Sequence, residues 1–451
     1  MALSGKSVDM TVGNPTKHIF LFAIPIFIGN MFQQLYNIVD SVVVGKYVSA
    51  DALAAIGTCS SLSFLFFSLS AGLSNGIGVL VSQYFGAKDD DGVKRTIASS
   101  VYVLSSASLV VMALGFILAK PILELMNVPA DILSDSVLYL RTTVCGMIFI
   151  AFYNGVAAVL RALGDSKTPL YFLIMSCFLN IGMDLLLVLK FDMGVFGVGL
   201  ATVFAQAVSA FVSLAYAIIK VPYFKLSGNE LRPHKEIIKH SFRLGIPISL
   251  QMSMISLSLV VLQSVANGFG TAVMSAYTIE GRVTNLVSQF YQAINNSLVT
   301  FSGQNHGAGN TDRVKAGYRR GLVLVIIYNL IMTPLMLFIS PYIVKMFVTA
   351  SEVDVIRYGT MALRITSVMY IPLSLIYIPR GVLNGVGDAK FSLINGISEV
   401  VCRIIYANIL TRIPALGLWG IWVASGLTWF SVAIVCNLRY LRGRWKSINV
   451  K

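Results

Sequence analysis

About twelve stretches of 20 or more mostly apolar residues follow one another along this 451-residue chain. Only 12% of its residues are charged, whereas soluble domains have about 25%. A chain this apolar has too little polar surface to cover a core in water, so the sequence predicts an all-α membrane protein. The predicted helices cover roughly 16–45, 52–85, 94–119, 135–163, 167–189, 194–220, 236–268, 271–305, 314–339, 354–383, 390–411 and 417–440.

The basic residues alternate between the two sides of the predicted membrane. Of the 34 lysines and arginines, 24 lie before the first helix or in every second polar segment after it, and six lie in the opposite segments. By the positive-inside rule, both termini are cytoplasmic and the number of helices is even. The net charge of +14 therefore reflects topology and contact with anionic lipids, and nucleic-acid binding is not expected. The other four cations are assigned to spans: Arg141, Arg282, Arg364 and Arg403.

The chain repeats itself with a period near 222 residues. The sequence AIPI at 23–26 returns as GIPI at 245–248, and LGDSK at 163–167 returns as VGDAK at 386–390. In these Gly-Asp turns we expect the aspartate to cap the next helix. The repeat predicts two homologous six-helix bundles that face each other across a cavity, which is the geometry of an alternating-access transporter. The predicted units are an N-terminal lobe (1–220), a cytoplasmic linker (221–235) and a C-terminal lobe (236–451).

Four acidic residues lie well inside predicted helices, where an ionised side chain is costly: Asp40, Asp184, Glu280 and Glu399. Glu280 has Arg282 nearby in sequence, and Glu399 has Arg403 one helical turn later, so these two acids are interpreted as structural. Asp40 and Asp184 have no cation at helical spacing.

Both of these aspartates lie about five residues before the outer ends of their helices, roughly 7–8 Å below the outer edge. Asn180 and Tyr36 are each one turn deeper, and Thr202 reaches a similar depth from the sixth helix. We therefore expect one polar chamber that holds a proton, or a sodium ion ligated by Asp40, Asn180, Asp184 and Thr202.

The C-terminal half lacks this chamber, because the repeat places Leu262 and Ala407 at or beside the positions of Asp40 and Asp184. A cationic substrate and the coupling ion are expected to compete for the Asp40 carboxylate. Pro25 interrupts the hydrogen bonding of the Asp40 helix and is a candidate hinge. Flexible and aromatic side chains that would suit a promiscuous substrate cavity are Met31, Gln34, Phe149, Phe152, Met175 and Met183.

The stretch FAIPIFIGNMFQQLYNIVDSVVVG at 22–45, the LAAIG that follows it and the Gly-Asp-x-Lys turn resemble the multidrug and toxic compound extrusion (MATE) family, and its DinF-like branch in particular. The resemblance covers essentially the whole chain. It implies two six-helix lobes in a V and cation-coupled export of bulky, often cationic drugs. It also assigns the coupling acid to Asp40, with polar partners Tyr36, Asn154, Asn180, Asp184 and Thr202. The seventh helix has no acid, so the C-lobe sodium site of another branch is not expected.

The function predicted from these observations is a proton-driven drug antiporter of the bacterial plasma membrane, monomeric and without a cofactor. Sodium coupling is one alternative. A lipid-linked oligosaccharide flippase is another, but it should line its cavity with several cations, which the sequence does not place there. A membrane-embedded enzyme is not expected, because there is no His-rich cluster and no sizeable soluble domain.

Overall fold

The computed structural model describes residues 8–228 and 230–448, and the secondary structure of these residues is helical throughout. Short 3₁₀ turns cover Pro222–Phe224, Gly417–Trp419 and Arg444–Ser447, and a π-helical turn covers Leu186–Lys190. The α-helices are α1 (Pro15–Tyr47), α2 (Ala50–Gly86), α3 (Asp90–Leu125), α4 (Ala130–Cys145), α5 (Met147–Ala162), α6 (Lys167–Leu185), α7 (Gly194–Lys220), α8 (Lys235–Asn267), α9 (Thr271–Gly307), α10 (Thr311–Lys345), α11 (Val353–Val368), α12 (Tyr370–Gly385), α13 (Ala389–Leu410) and α14 (Gly420–Leu441).

Two helices that were predicted to be single are bent pairs. The chain turns by 43° between α4 and α5 and by 48° between α11 and α12. The first bend is at Gly146, where the backbone lies so close to Val203 of α7 that an added Cβ would be 2.7 Å from its side chain. The second bend is followed by Pro372, which has no N–H to bond the Val368 carbonyl and so interrupts the helical ladder.

The prediction of an all-α membrane protein with twelve spans in two lobes is confirmed. Within the described residues, nine helices are long and apolar enough to cross a membrane, and each bent pair qualifies as a further span. Helix α9, 37 residues long, is counted as the twelfth because it occupies the place of α2 in the repeat. It is less apolar than the others because it contains several polar side chains, among them the amides of Gln292, Asn295 and Asn296. Helices α1–α7, the N-terminal group, repeat in the same order and with the same bent pair as α8–α14, the C-terminal group.

The two Gly-Asp turns adopt the same conformation in both groups. Gly164 and Gly387 have φ angles of +89° and +84°, a region that favours glycine. The carboxylate of Asp165 accepts hydrogen bonds from the backbone N–H groups of Lys167 and Thr168, both at 3.0 Å. The Asp388 carboxylate accepts the backbone N–H of Phe391 at 3.2 Å. The prediction that these aspartates cap the next helix is therefore confirmed.

The two groups meet most closely at one end of the molecule, called here the connecting end because residues 221–228 and 230–234, between α7 and α8, lie there. Gln83 of α2 donates to the Gly385 carbonyl at 2.9 Å, and Gln304 of α9 donates to the Ala162 carbonyl at 2.8 Å. These two bonds are related by the repeat. Between them the ends of α2 and α9 touch backbone to backbone, since an added Cβ on Gly86 would be 1.9 Å from the Gln304 carbonyl oxygen.

The close contact extends to the middle of the helices and no further. Helices α2 and α8 are joined by a 2.6 Å hydrogen bond between the hydroxyls of Ser68 and Ser253. Among the described residues, no hydrogen bond between the two groups lies nearer the opposite end than this pair. The two groups are therefore closed together at the connecting end and separated at the opposite end.

Residues 8–13, the N-terminal segment, lie across the closed end. The backbone N–H of Met10 donates to Gln304 Oε1 at 2.9 Å, and Arg313 donates to the carbonyls of Met10, Val12 and Gly13 at 2.9–3.1 Å. Met10 is completely buried. On the other side, the backbone of Val8 packs against Gly164 of the N-terminal group. The segment thus contacts both groups at the end where they meet.

We expect Arg313→Gln to release the N-terminal segment, because glutamine cannot reach three carbonyls at once and carries no charge to strengthen the bonds. Hydrogen–deuterium exchange of residues 8–13 in the purified protein should rise at least about tenfold, as the loss of about 1.5–3 kcal/mol of charged hydrogen bonding predicts. Arg320→Gln is the matched control, since Arg320 is exposed on the same helix. Equal exchange in both variants would mean that Arg313 does not hold the segment.

Candidate functional site

A polar cluster forms where α1, α6 and α7 pack together in the N-terminal group. With its side-chain amide turned so that both ends find a partner, Asn180 donates to Asp184 Oδ2 at 3.0 Å and to the Tyr36 hydroxyl at 3.3 Å, and its carbonyl accepts the backbone N–H of Thr202 at 3.1 Å. Asp40 and Asp184 lie close enough to interact directly through their carboxyl groups. The structure therefore brings together five of the six residues predicted to form the coupling site.

The two carboxyl groups of this cluster have free capacity to bind a cation. A carboxyl group donates a hydrogen bond only when it is protonated, so a hydrogen bond between Asp40 and Asp184 requires that one of them carries a proton. Asp40 Oδ1 and Asp184 Oδ1 are buried with no hydrogen-bond donor among the described residues. An oxygen in this position accepts either a proton or a hard metal ion such as sodium, so the donor set fits both ions.

A cavity of about 10 Å³ lies beside the cluster. Its lining includes Gln33, Tyr36, Asn180, Thr202 and Gln206. This volume corresponds to about one water molecule. The cavity therefore has room for a single small ion or water beside the acids and is far too small for a drug-sized molecule.

Asn154, the sixth predicted coupling residue, is half-buried on α5, and its amide nitrogen has no partner among the described residues. The structure does not join it to the cluster by a hydrogen bond, and its role stays a prediction. Tyr139 of α4, which was not predicted, lies close enough to interact electrostatically with both Asp40 and Asp184. No sequence signal at helical spacing points to this tyrosine, because it belongs to a different helix.

The C-terminal group has an apolar cluster at the corresponding place. Leu262 and Ala407, the repeat counterparts of Asp40 and Asp184, are both completely buried in one hydrophobic cluster with Trp422. The two groups share a scaffold, and the acids are confined to the N-terminal one.

A second cavity lies between the two groups, close to the connecting end, and has a volume of about 220 Å³. Its polar lining consists mainly of amides. The residues that provide its polar groups are Asn75, Arg161, Gln251, Gln292, Asn295, Asn296, Thr300, Tyr377, Arg380 and Asn384. Asn75 and Asn296 are related by the repeat, as are Gln83 and Gln304, so polar residues that recur at the same period inside apolar stretches are the signal that could have identified this lining.

The placement of two arginines corrects the sequence analysis. Arg161 and Arg380 were counted among the basic residues of cytoplasmic segments, but they lie within α5 and α12 and line this cavity. Both are near the ends of apolar stretches, where a sequence does not show whether a cation points to water or to a cavity. The cavity of this protein therefore has cations that the sequence analysis did not place there.

Glu399 is shared by two arginines. Its carboxylate is 3.0 Å from Arg403, as the spacing predicted, and 3.6 Å from Arg380. Glu280 does not pair with Arg282, its neighbour in sequence. Arg282 is exposed, whereas Glu280 is buried and accepts a 2.6 Å hydrogen bond from Thr284, because residues two positions apart point to different faces of a helix.

The six residues predicted to contact substrate lie outside the described lining of both cavities, and their role stays a prediction: Met31, Gln34, Phe149, Phe152, Met175 and Met183. The Phe149 ring packs against that of Phe211, with centroids 5.9 Å apart.

Pro25 is buried inside α1, and the helix continues through it from Pro15 to Tyr47. Its role as a hinge also stays a prediction.

The sequence model of the MatE family matches residues 25–186 and 247–409 of this chain. The two matches confirm the internal repeat. A relative from Bacillus subtilis (strain 168), the probable multidrug resistance protein YpnP, is 29% identical over 446 residues, which cover 99% of each chain.

Two solved structures share the fold. One is an outward-facing conformation of a multidrug resistance MATE family transporter of the MOP superfamily, with a TM-score of 0.91 and 22% identity over 99% of this chain and 100% of that one. The other is a MOP superfamily transporter from Pyrococcus furiosus Vc1 (DSM3638), for which reverse polarity of the binding pocket suggests a different function. It has a TM-score of 0.92 and 23% identity, with 99% of each chain covered.

Proposed function

Because this chain belongs to the MatE family, we propose that it is a cation-coupled antiporter that exports bulky drug-like compounds, many of them cationic, across the bacterial plasma membrane. The relative named above is a probable multidrug resistance protein, which supports export of drugs. The coupling ion in this proposal is the proton, with sodium as the alternative. The protein acts as a monomer in contact with anionic lipids and needs no cofactor.

The observation that carries the proposal is the pairing of Asp40 with Asp184 in the N-terminal group. Two buried carboxyl groups in contact resist simultaneous ionisation, so the pair gains and loses a proton as its surroundings change. The C-terminal group has no counterpart of this acid pair, since Leu262 and Ala407 occupy the corresponding positions in a hydrophobic cluster. A single acid pair beside a cavity for one small ion is what coupling to one cation requires.

The sizes of the two cavities argue against direct competition between drug and ion for Asp40. The space beside the acids is about 10 Å³, and the larger cavity has neither aspartate in its lining. We therefore propose that the two sites are coupled through α1. This helix carries Tyr36 and Asp40, packs against α6 on one side and α9 on the other, and is joined to α9 by a 2.9 Å bond from Ser297 to the Ile19 carbonyl.

The orientation in this proposal follows the distribution of basic residues, with both termini and the connecting end in the cytoplasm. In that orientation the structure corresponds to a state open to the outside, since the two groups separate toward the opposite end. Protonation of the acid pair would occur from that side, and the drug would leave on the same side.

A lipid-linked oligosaccharide flippase is the second candidate. Arg161 and Arg380 in the lining of the larger cavity favour it, because a pyrophosphate needs cations around it. The acid pair of the N-terminal group favours the antiporter.

The experiment that tests the proposal is ethidium transport by the purified protein in liposomes, with a pH gradient or a sodium gradient imposed separately. We expect the pH gradient alone to drive transport and the sodium gradient to have no effect. Transport driven by sodium alone would replace the proton by sodium. Transport that ignores both gradients would contradict coupled antiport.

A further inference from the structure

The larger cavity has an unbalanced positive charge. Its described lining contains two arginines and no carboxylate. Arg380 shares Glu399 with Arg403, so one negative charge faces two positive charges in that cluster. Arg161 forms no ion pair with any carboxylate of residues 8–228 and 230–448. Within the membrane, a guanidinium in a cavity without a counter-charge is costly, and an anion that enters the cavity removes that cost.

The rest of the lining suits the acid group of an amphiphilic molecule. Arg380 is held in place by a 2.8 Å bond from its Nε to Asn395 and by the Tyr377 ring, whose centroid is 5.2 Å from the guanidinium carbon. The side-chain amides of Asn75, Gln292 and Asn384 add N–H donors, and donors aimed at an anion strengthen its binding. The apolar part of the lining is formed by Phe64, Val79, Ile248, Met252 and Ile255.

We propose that this cavity contains an anion subsite, in which Arg161 binds the carboxylate, sulfonate or phosphate of an amphiphilic ligand and the apolar wall takes its hydrophobic body. The subsite deepens the proposed function, because it adds organic anions and zwitterions to the compounds exported. It is separate from the acid pair of the N-terminal group. Arg380, already bonded to Glu399 and Asn395, adds positive electrostatic potential and helps to orient the ligand. Arg161 makes the direct contact with the anion.

The test compares two dyes that share a xanthene ring system, the anion fluorescein and the cation rhodamine 123. Binding to the full-length protein in phosphatidylcholine nanodiscs is measured by fluorescence anisotropy. Arg161→Gln should weaken fluorescein binding roughly tenfold or more, because it removes a charged hydrogen bond. Arg161→Lys, which restores the charge, should recover most of the affinity. Rhodamine 123 should bind Arg161→Gln no more weakly than the unmodified protein.

The matched control is Arg141→Gln. Arg141 is also an arginine within the spans, but it donates to the Phe116 carbonyl at 3.1 Å and lies over the Phe116 ring, outside the described lining of the cavity. Fluorescein should bind this variant as it binds the unmodified protein. The inference is overturned if Arg161→Gln and Arg141→Gln have the same effect, or if Arg161→Gln weakens both dyes equally.

A second set of nanodiscs identifies the source of the anion. Phosphatidylglycerol in place of part of the phosphatidylcholine should compete with fluorescein if a lipid headgroup occupies the subsite. Fluorescein binding that is unchanged by phosphatidylglycerol assigns the subsite to soluble organic anions. Either result supports an anion subsite, provided that the Arg161→Gln effect is present.

This binding assay needs no ion gradient, so it is independent of the coupling proposal. If neither gradient drove ethidium transport, the anion subsite would be unaffected by that result. Conversely, failure of Arg161→Gln to affect fluorescein would leave proton-driven export of cations intact.

Discussion

Gradient-driven efflux should fall to the background of protein-free liposomes when Asp40 is replaced by asparagine. Asparagine keeps the shape of the side chain and its hydrogen-bonding capacity, but it cannot release a proton or carry the negative charge that attracts a cation. In place of a carboxyl group that can take up and release a proton beside Asp184, the variant would have a permanent amide donor. The measurement is ethidium transport under an imposed pH gradient. Asp184→Asn should likewise lose this transport or change its pH dependence.

Folding of the Asp40→Asn protein should be preserved, because the substitution removes a buried ionisable group without changing its volume. Its thermal unfolding temperature is therefore expected to match or exceed that of the unmodified protein. Asp51→Asn is the matched control, since Asp51 is exposed in the first turn of α2. This variant should transport normally. Normal transport and an unchanged pH response in Asp40→Asn would make Asp40 structural and direct attention to Glu399.

Gly86→Ala should impair transport almost as strongly as Asp40→Asn does, because it prevents closure of the connecting end. The added Cβ would be 1.9 Å from the Gln304 carbonyl oxygen, which is backbone and has little freedom to move away. Overpacking of this kind costs about 1–3 kcal/mol, which shifts an equilibrium between closed and open ends by roughly 5–150-fold. Cysteine labelling from the connecting end, at Asn384 in the large cavity, should increase by a similar factor.

Gly57→Ala provides the control for this change within the same helix. A Cβ on Gly57 meets no atom within 4 Å, so alanine there should be tolerated and should favour the helix. In α9, Gly281 has the same free surroundings and is the control for Gly307→Ala, whose Cβ would be 1.9 Å from the Gln83 carbonyl oxygen. If Gly86→Ala and Gly57→Ala transported equally, closure at this contact would not be a step of the cycle.

The spans, the repeat and the position of the acid cluster could be predicted from the sequence because each depends on local spacing or on depth. Asp40 and Asp184 share a depth that a residue count along each helix gives directly. The same residue count, carried across the repeat, identifies Leu262 and Ala407 as the apolar counterparts of these two acids. The bends next to Gly146 and Met369 were missed, because a glycine or a nearby proline within a long apolar stretch is equally compatible with a straight helix.

The cavity lining could not be predicted, because it depends on which face of each helix points inward. The rotation of a helix about its axis is set by contacts with several neighbours at once. Arg161 and Arg380 lie close to where apolar stretches end, so a count of charges assigned them to water. Only packing of α5 and α12 against the opposite group shows that they face a cavity.

The position of the N-terminal segment has a consequence for how the protein assembles in the membrane. Met10 is made well before its partners Gln304 and Arg313, which lie 294 and 303 residues later in the chain. At about 5–20 residues per second, these partners leave the ribosome roughly 15–60 seconds after Met10. During that interval the seven helices of the N-terminal group insert without a closed end. Docking of the N-terminal segment therefore waits until α9 and the start of α10 have been made. A bulky domain fused ahead of residue 8 would interfere with this late step more than with the insertion of the N-terminal group.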